Sequence, residues 1–196
     1  IILCQIDCLN MKIRCIWAKD VLNIEYHDTE WGIPQHNDTK LFEFLVLEGA
    51  QAGLSWSTIL RRREGYRKAF SNFDSLKISK YTQKHVKKLL NNEEIIRNRL
   101  KINSAINNAK HFLEIQEEFG SFDKYIWSFV NYKPIINNFK KLSDLPASTA
   151  ISEKMSKDLR KRGFNFVGPT ICYAFMQAVG MVNDHTIDCF MKILHK

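Results

Sequence analysis

No apolar run in this chain approaches the ~18 residues that a membrane-spanning helix needs, so no helical span is expected. Stretches that alternate apolar and polar residues between hairpin turns are nearly absent, which removes the pattern of a β fold. There is no internal repeat and no low-complexity tract. Residues 1–10 are short, acidic rather than basic, and lack the layout of a secretory signal. The five cysteines, Cys4, Cys8, Cys15, Cys172 and Cys189, are therefore expected as thiols and not as a disulfide framework. Met11 is the expected natural start, which would make residues 1–10 an extra N-terminal segment and 11–196 one domain.

What is present is a chain of 196 residues, 45% hydrophobic and 26% charged, enough for one compact core or for two lobes sharing one. Lys plus Arg number 29 against 21 for Asp plus Glu, a net charge of +8 that suits a polyanion such as nucleic acid or an anionic surface. No heptad pattern or apolar surface patch argues for an oligomer, so a monomer is expected.

The periodicity is helical. Asp38 can cap a helix with apolar positions Leu41, Phe42, Leu45 and Val46, which should end near Gly53. Ser55 or Trp56 opens the next helix, and Thr82 caps a short basic one. Ile102, Ala105, Ile106, Ala109, Phe112 and Leu113 mark one face of a long helix. Phe122, Tyr125, Ile126 and Phe129 mark another. Ser152 caps a helix to Arg162, and Pro169 sits in the first turn of a helix to Val179. Residues 131–151 read as a long connection, and only residues 33–34 and 133–136 resemble strand. The expected fold is all-α.

Three groups of residues carry chemistry. The first is metal-like. His185 and Cys189 lie four apart, one turn of a helix, and Cys15 and His27 lie near the other end of the chain. Two Cys and two His make a closed tetrahedral zinc shell. The same residues also read as a small buried thiol and a capping imidazole, and Cys4, Cys8 and His36 compete as ligands. The second is a helix, turn and helix over about residues 152–180. Gly163 suits a helix C-terminal cap, and the backbone around Gly168 and the start of the next helix can hold a phosphate. Lys157, Arg160, Lys161 and Arg162 supply the field. That chemistry grips a DNA backbone without reading sequence, and an ordinary helical hairpin with a solvated basic face is the plainer alternative. The third is Glu48 among Tyr26, Trp31 and Trp56, one carboxylate among large aromatics, suited to a flat electron-poor base. Arg61, Arg62 and Arg63 read as a solvated helix face.

The chain from Met11 to about Asp188 resembles the bacterial 3-methyladenine DNA glycosylase I family of the helix-hairpin-helix glycosylases. The matching stretches are residues 14–15, 26–32, 47–49, 51–56, 127–131, 161–164, 166–168, 170–173 and 182–185. The resemblance implies two helical lobes, with one structural zinc ion on Cys15, His27, His185 and Cys189 joining N- and C-terminal segments. It implies a base pocket with Glu48 against a methylated adenine, Tyr26 and Trp56 around the ring, and Trp31 as a further wall. Lys161, Gly163, Gly168 and Thr170 would contact alkylated double-stranded DNA, and the turn at Gly53 and Leu54 would approach the gap left by a flipped base. Free 3-methyladenine would be the product ligand, and the setting a bacterial cytoplasm. Asn23 departs from the family, which often carries an aromatic there.

Methylation at N3 makes the adenine cationic, so the glycosidic bond breaks to expel a neutral base and the task becomes recognition. Asp184 lies near the place where related glycosylases keep an assisting Asp, but Asn183 fits that register better. No lysine stands out as a Schiff-base nucleophile, so monofunctional hydrolysis is expected. A zinc-stabilised DNA-binding module without catalysis, and a related glycosylase for another base such as 7-methylguanine, are the competing readings.

Overall fold

The structure, a computed structural model, describes residues 12–194. The expected start at Met11, the extra segment 1–10 and the competing ligands Cys4 and Cys8 lie outside the described residues. The described chain is mostly helical: α1 Val21–Thr29, α2 Asp38–Gln51, α3 Trp56–Ala69, α4 Ser75–Ser79, α5 Gln83–Leu90, α6 Arg99–Phe119, α7 Phe122–Ser128, α8 Ala150–Lys161, α9 Pro169–Ala178 and α10 Phe190–Leu194. The two strands described, β1 Ile135–Ile136 and β2 Val182–Asn183, pair in parallel, Ile135 with Val182 and Ile136 with Asn183. The expected strand-like segment at 133–136 thus finds a partner, while residues 33–34 do not. No described helix is long and apolar enough to cross a membrane.

Helix ends follow local chemistry. Ser55 caps α3 by accepting from the Thr58 amide, and Thr82 with His85 forms a capping box on α5. Pro169 is the first residue of α9, where its missing N–H costs nothing. Two caps differ from expectation. Thr149, not Ser152, caps α8, and its reciprocal partner is Ser152. Asn37, not Asp38, caps α2. The Asp38 carboxylate instead accepts from the amides of Phe122 and Asp123 and from Gln116 Nε2, at 2.6 to 2.9 Å. It supplies a negative charge at the N-terminus of α7, a helix that starts 84 residues later in the sequence.

Helix α2 is the axis of the core. It packs against α3, α6, α7 and α9, and every residue from Leu41 to Ala50 is buried. The buried apolar side chains form one continuous cluster that includes Trp127 and Phe112. Trp127 donates Nε1–H to the Gln35 carbonyl and stacks near His36, whose Nδ1 meets Asp123, so His36 is engaged far from the metal-like group.

A buried ion network ties the helices together. Arg63 on α3, expected as part of a solvated basic face, is 7% exposed. Its guanidinium donates to Glu43 of α2 at 2.7 Å and to both oxygens of Glu30, which follows α1, at 2.6 and 2.7 Å. Arg67 and Lys40 complete the neutralisation of Glu43. Replacing Arg63 with Met leaves two carboxylates without their shared partner. Urea denaturation should show a loss of about 3 kcal/mol or more, the usual cost of stranding a buried charge.

Candidate active site and metal centre

A cavity of about 310 Å³ opens where α1, α2, α3 and α9 converge. Helix α1 contributes Asn23 and Tyr26, α2 contributes Glu48 and Gln51, α3 contributes Trp56 and Ser57, and α9 contributes Ala174 and Gln177. Trp17 and Trp31 form one wall, ring centroids 5.0 Å apart at 77°. Tyr26 and Trp56 form another, 5.2 Å apart and tilted by 46°. All four residues of the aromatic-acid group expected from sequence therefore share one cavity.

Glu48 is the unusual member. It is 4% exposed and has no hydrogen-bond or ion-pair partner among the described residues. Burial pushes its carboxyl up to about 8. Tyr26 is also held well above the ordinary phenol value, first by burial and then by the charge of Glu48. Trp56 Nε1 is a buried donor with no partner among the described residues. Buried polar atoms are nearly always satisfied. An unpaired carboxyl and a buried unpaired indole donor among the residues of one cavity suit a polar, flat guest. Asn23 gives its amide N–H groups to Asp20 Oδ2 at 2.6 Å and Ser57 Oγ at 2.7 Å, so this wall is polar and braced.

Several lining residues escaped the sequence reading. Gln51 carried a usable signal, because it lies three residues after Glu48 on the same helix face. Trp17 follows Cys15 closely, but nothing in its spacing aims it at the cavity. Leu142 and Leu145 come from the connection before α8 and also line the cavity. Their position is set by tertiary folding alone.

Beside the Trp17 and Trp31 wall lies the metal-like group. The donor atoms of Cys15, His27, His185 and Cys189 all fall within 4.8 Å of one another, and all four residues are buried. Cys189 Sγ is 3.3 Å from His27 Nε2 and 3.5 Å from His185 Nδ1, and Cys15 Sγ is 3.5 Å from the same Nδ1. Ligand bonds of about 2.0–2.3 Å in a tetrahedron give edges near these lengths, so the four residues fit a metal ion. The outer contacts choose the facing nitrogens. His27 Nδ1 meets Asp28 Oδ1 at 2.8 Å, and Asp28 is clasped by Arg14. His185 Nε2 meets the Trp31 carbonyl at 3.1 Å. That leaves His27 Nε2 and His185 Nδ1 for the centre, an arrangement in which each imidazole is oriented by its second nitrogen. Gly32 stands at φ +78°, and a Cβ there would lie 3.0 Å from His185 Nε2.

Asp184, between these features, is not free for chemistry. It is 1% exposed and accepts from Tyr173 Oη at 2.5 Å, Asn137 Nδ2 at 2.7 Å and Gln177 Nε2 at 2.8 Å. It braces α9 against the connection. Among the described residues no lysine lines the cavity.

The turn between α8 and α9 is shaped by glycine. Gly163 adopts φ +92°, and a Cβ there would meet His111 Nε2 at 2.5 Å, so the turn requires glycine. Gly168 caps α9 without a side-chain hydrogen bond, and Lys161 and Thr170 are exposed. Arg162, expected in the basic field, is instead paired with Glu118 and Asp158 and stacked over Phe119 and Tyr125. Leu54 is 40% exposed at the tip of the loop between α2 and α3.

The sequence model of the methyladenine glycosylase family matches residues 17–192. The chain is 48% identical, over 177 residues, to DNA-3-methyladenine glycosylase 1 of Escherichia coli (strain K12), covering 90% of this chain and 95% of that protein. A crystal structure of 3-methyladenine DNA glycosylase I superposes with a TM-score of 0.89 at 49% identity, covering 91% of this chain and 98% of the other. A variant of 3-methyladenine DNA glycosylase I solved in complex with 3-methyladenine superposes with a TM-score of 0.87 at 36% identity, covering 89% of this chain and 94% of the other.

The burial of Glu48 has a pH signature. Because its folded carboxyl is raised to about 8, its contribution to stability is complete below the ordinary carboxylate range and is lost as pH rises through about 8. Glu48→Gln removes that ionisation. Thermal denaturation should show the variant gaining on the wild type from pH 5 to pH 9, with the larger melting-temperature difference at the high end.

Proposed function

The chain belongs to the methyladenine glycosylase family, and on that premise we propose that it acts in base-excision repair, hydrolysing the N-glycosidic bond of 3-methyladenine in alkylated DNA. It releases the free base and leaves an abasic site. The observation that carries this reading is the buried, unpartnered carboxylate of Glu48 in an aromatic cavity. A cationic base with exocyclic N–H groups is the partner that such a carboxylate lacks.

In this reading the alkylated nucleotide swings out of the duplex and its base enters the cavity. Tyr26 and Trp56 pack on the ring, each stacking contact worth about 1–3 kcal/mol. Trp31, seated on Trp17, closes the far wall. Glu48 accepts hydrogen bonds from the base and favours its positive charge, so neutral adenine gains less. Once methylated the base is already a good leaving group, and water completes the cleavage without a lysine nucleophile. The α8–turn–α9 unit is the helix-hairpin-helix of a two-lobed glycosylase. Lys161 and the backbone at Gly163, Gly168 and Thr170 hold a phosphate, and Leu54 approaches the space that the base vacates. The enzyme works as a monomer on double-stranded DNA, with free 3-methyladenine as its product ligand and the bacterial cytoplasm as its setting.

Cys15, His27, His185 and Cys189 would hold one zinc ion. With four protein ligands it has no open position for water and is structural. Its support for function is mechanical, because His185 carries the Trp31 carbonyl and His27 follows Tyr26 in α1.

Chromatography of bases released from methylated duplex DNA is the direct test. The expected product is 3-methyladenine, with Glu48→Ala slowing release about 100-fold, the size of losing one preorganised electrostatic group, while DNA binding persists. Release of 7-methylguanine alone would overturn the substrate assignment, and release of no base would favour a non-catalytic DNA-binding module. For the metal, Cys189→Ser should lower both bound zinc and the melting temperature. Unchanged values of both would remove the zinc assignment.

A further inference from the structure

We propose that Lys101 is a positioning residue that sets the loop carrying Gly53 and Leu54 for entry into DNA, an inference that rests on the glycosylase reading above.

Helix α2 ends without a basic residue in its last turn, and its capping residue Ala52 has φ −42° and ψ 115°. The last carbonyls of a helix have no partner within it. Here Lys101, from the first turn of α6, reaches across and donates from Nζ to Ala50 O and to Ala52 O, both at 2.7 Å. A cation at a helix C-terminus is also favoured by the helix dipole. The tip of the loop itself is open. Leu54 N–H donates to Gln51 O at 2.6 Å, but a Cβ on Gly53, at φ +76°, would meet nothing within 4 Å, and Leu54 is 40% exposed. The loop tip stands in open space, held on its α3 side by the Ser55 cap and on its α2 side by the Lys101 ammonium.

The location of that base matters. A cavity of about 220 Å³ lies between the loop and the start of α9, lined by Gly53, Leu54, Thr170 and Ile171, and it shares Glu48, Gln51 and Ala174 with the larger cavity. The loop therefore borders both the base site and the helix start assigned to the phosphate. Helix α6 also holds the turn after α8. Asn107 Nδ2 donates to Gly163 O at 2.7 Å, and Asn108 exchanges two hydrogen bonds with the backbone of Asn165. From Lys101 to Asn107 and Asn108 is about 10 Å of helix. One strut thus fixes the spacing between the loop that enters the duplex and the turn that grips its backbone, and Lys101 is its contact on the loop side.

The test compares Lys101→Met and Lys101→Arg with the full wild-type chain in three assays. These are excision of 3-methyladenine from methylated duplex, anisotropy with a duplex carrying a tetrahydrofuran abasic analogue against the same intact duplex, and tryptophan fluorescence with free 3-methyladenine. Lys101→Met is expected to lower kcat about tenfold with little change in KM, a modest misplacement on the scale of catalytic positioning. It should also erase the preference for abasic over intact duplex while leaving free-base affinity unchanged. Lys101→Arg, which keeps a cationic donor, should recover most of both losses. Parallel loss of free-base binding would show a general structural role and overturn the proposal. So would wild-type excision and wild-type abasic preference in Lys101→Met. A wild-type chain that released no 3-methyladenine would sink the glycosylase reading, and the abasic preference of the variants would still decide the role of Lys101.

Discussion

The arrangement of this molecule turns on a buried carboxyl that lines a cavity without a protein partner among the described residues. Helix α2 carries two buried glutamates five residues apart, and they are treated in opposite ways. Glu43 is surrounded by Lys40, Arg63 and Arg67, and despite its burial its carboxyl sits below the ordinary range. Glu48 has no such company, and burial alone drives its carboxyl up to about 8. Leaving a carboxyl in that condition is unfavourable. The fold tolerates it because the rest of α2 is packed against four other helices and satisfied elsewhere. The stability of the core holds that carboxyl in place on the cavity wall.

The two ends of the described chain contribute to the same wall of that site. Trp31 presents its ring to the cavity and its carbonyl to His185. Tyr26 and His27 are neighbours on α1, one lining the cavity and one facing the Cys and His group. The outer contacts of that group, Asp28 with Arg14 and His185 with Trp31, hold two imidazoles in fixed orientations. The Cys and His cluster and the aromatic wall are therefore one mechanical unit.

Much of this was legible in the sequence because it is local. Helical periodicity, the caps at Ser55 and Thr82, Pro169 at a helix start and the four-residue spacing of His185 and Cys189 each need only a few neighbouring residues. The grouping of Glu48 with the aromatics was also legible, since Tyr26, Trp31, Glu48 and Trp56 lie close in the chain. What was not legible depends on distant partners. Asp38 reads as the cap of its own helix and instead accepts from the first amides of α7, which Ser121 caps. Arg63 and Arg162 read as solvated cations and are each committed to carboxylates. Leu142 and Leu145 reach the cavity from a segment with no periodicity at all. The pairing of β1 with β2 joins two-residue strands too short to show alternation. Local patterns report what a residue can do, and long-range packing decides which of those options is used.

The clasp between Cys15, His27, His185 and Cys189 imposes an order on the making of this protein. A ribosome releases Cys15 and His27 early and His185 and Cys189 almost last among the described residues. Through most of translation the first pair has no partners, and Trp31 lacks the imidazole that receives its carbonyl. The pocket wall is thus completed only after α8 and α9 have emerged and folded.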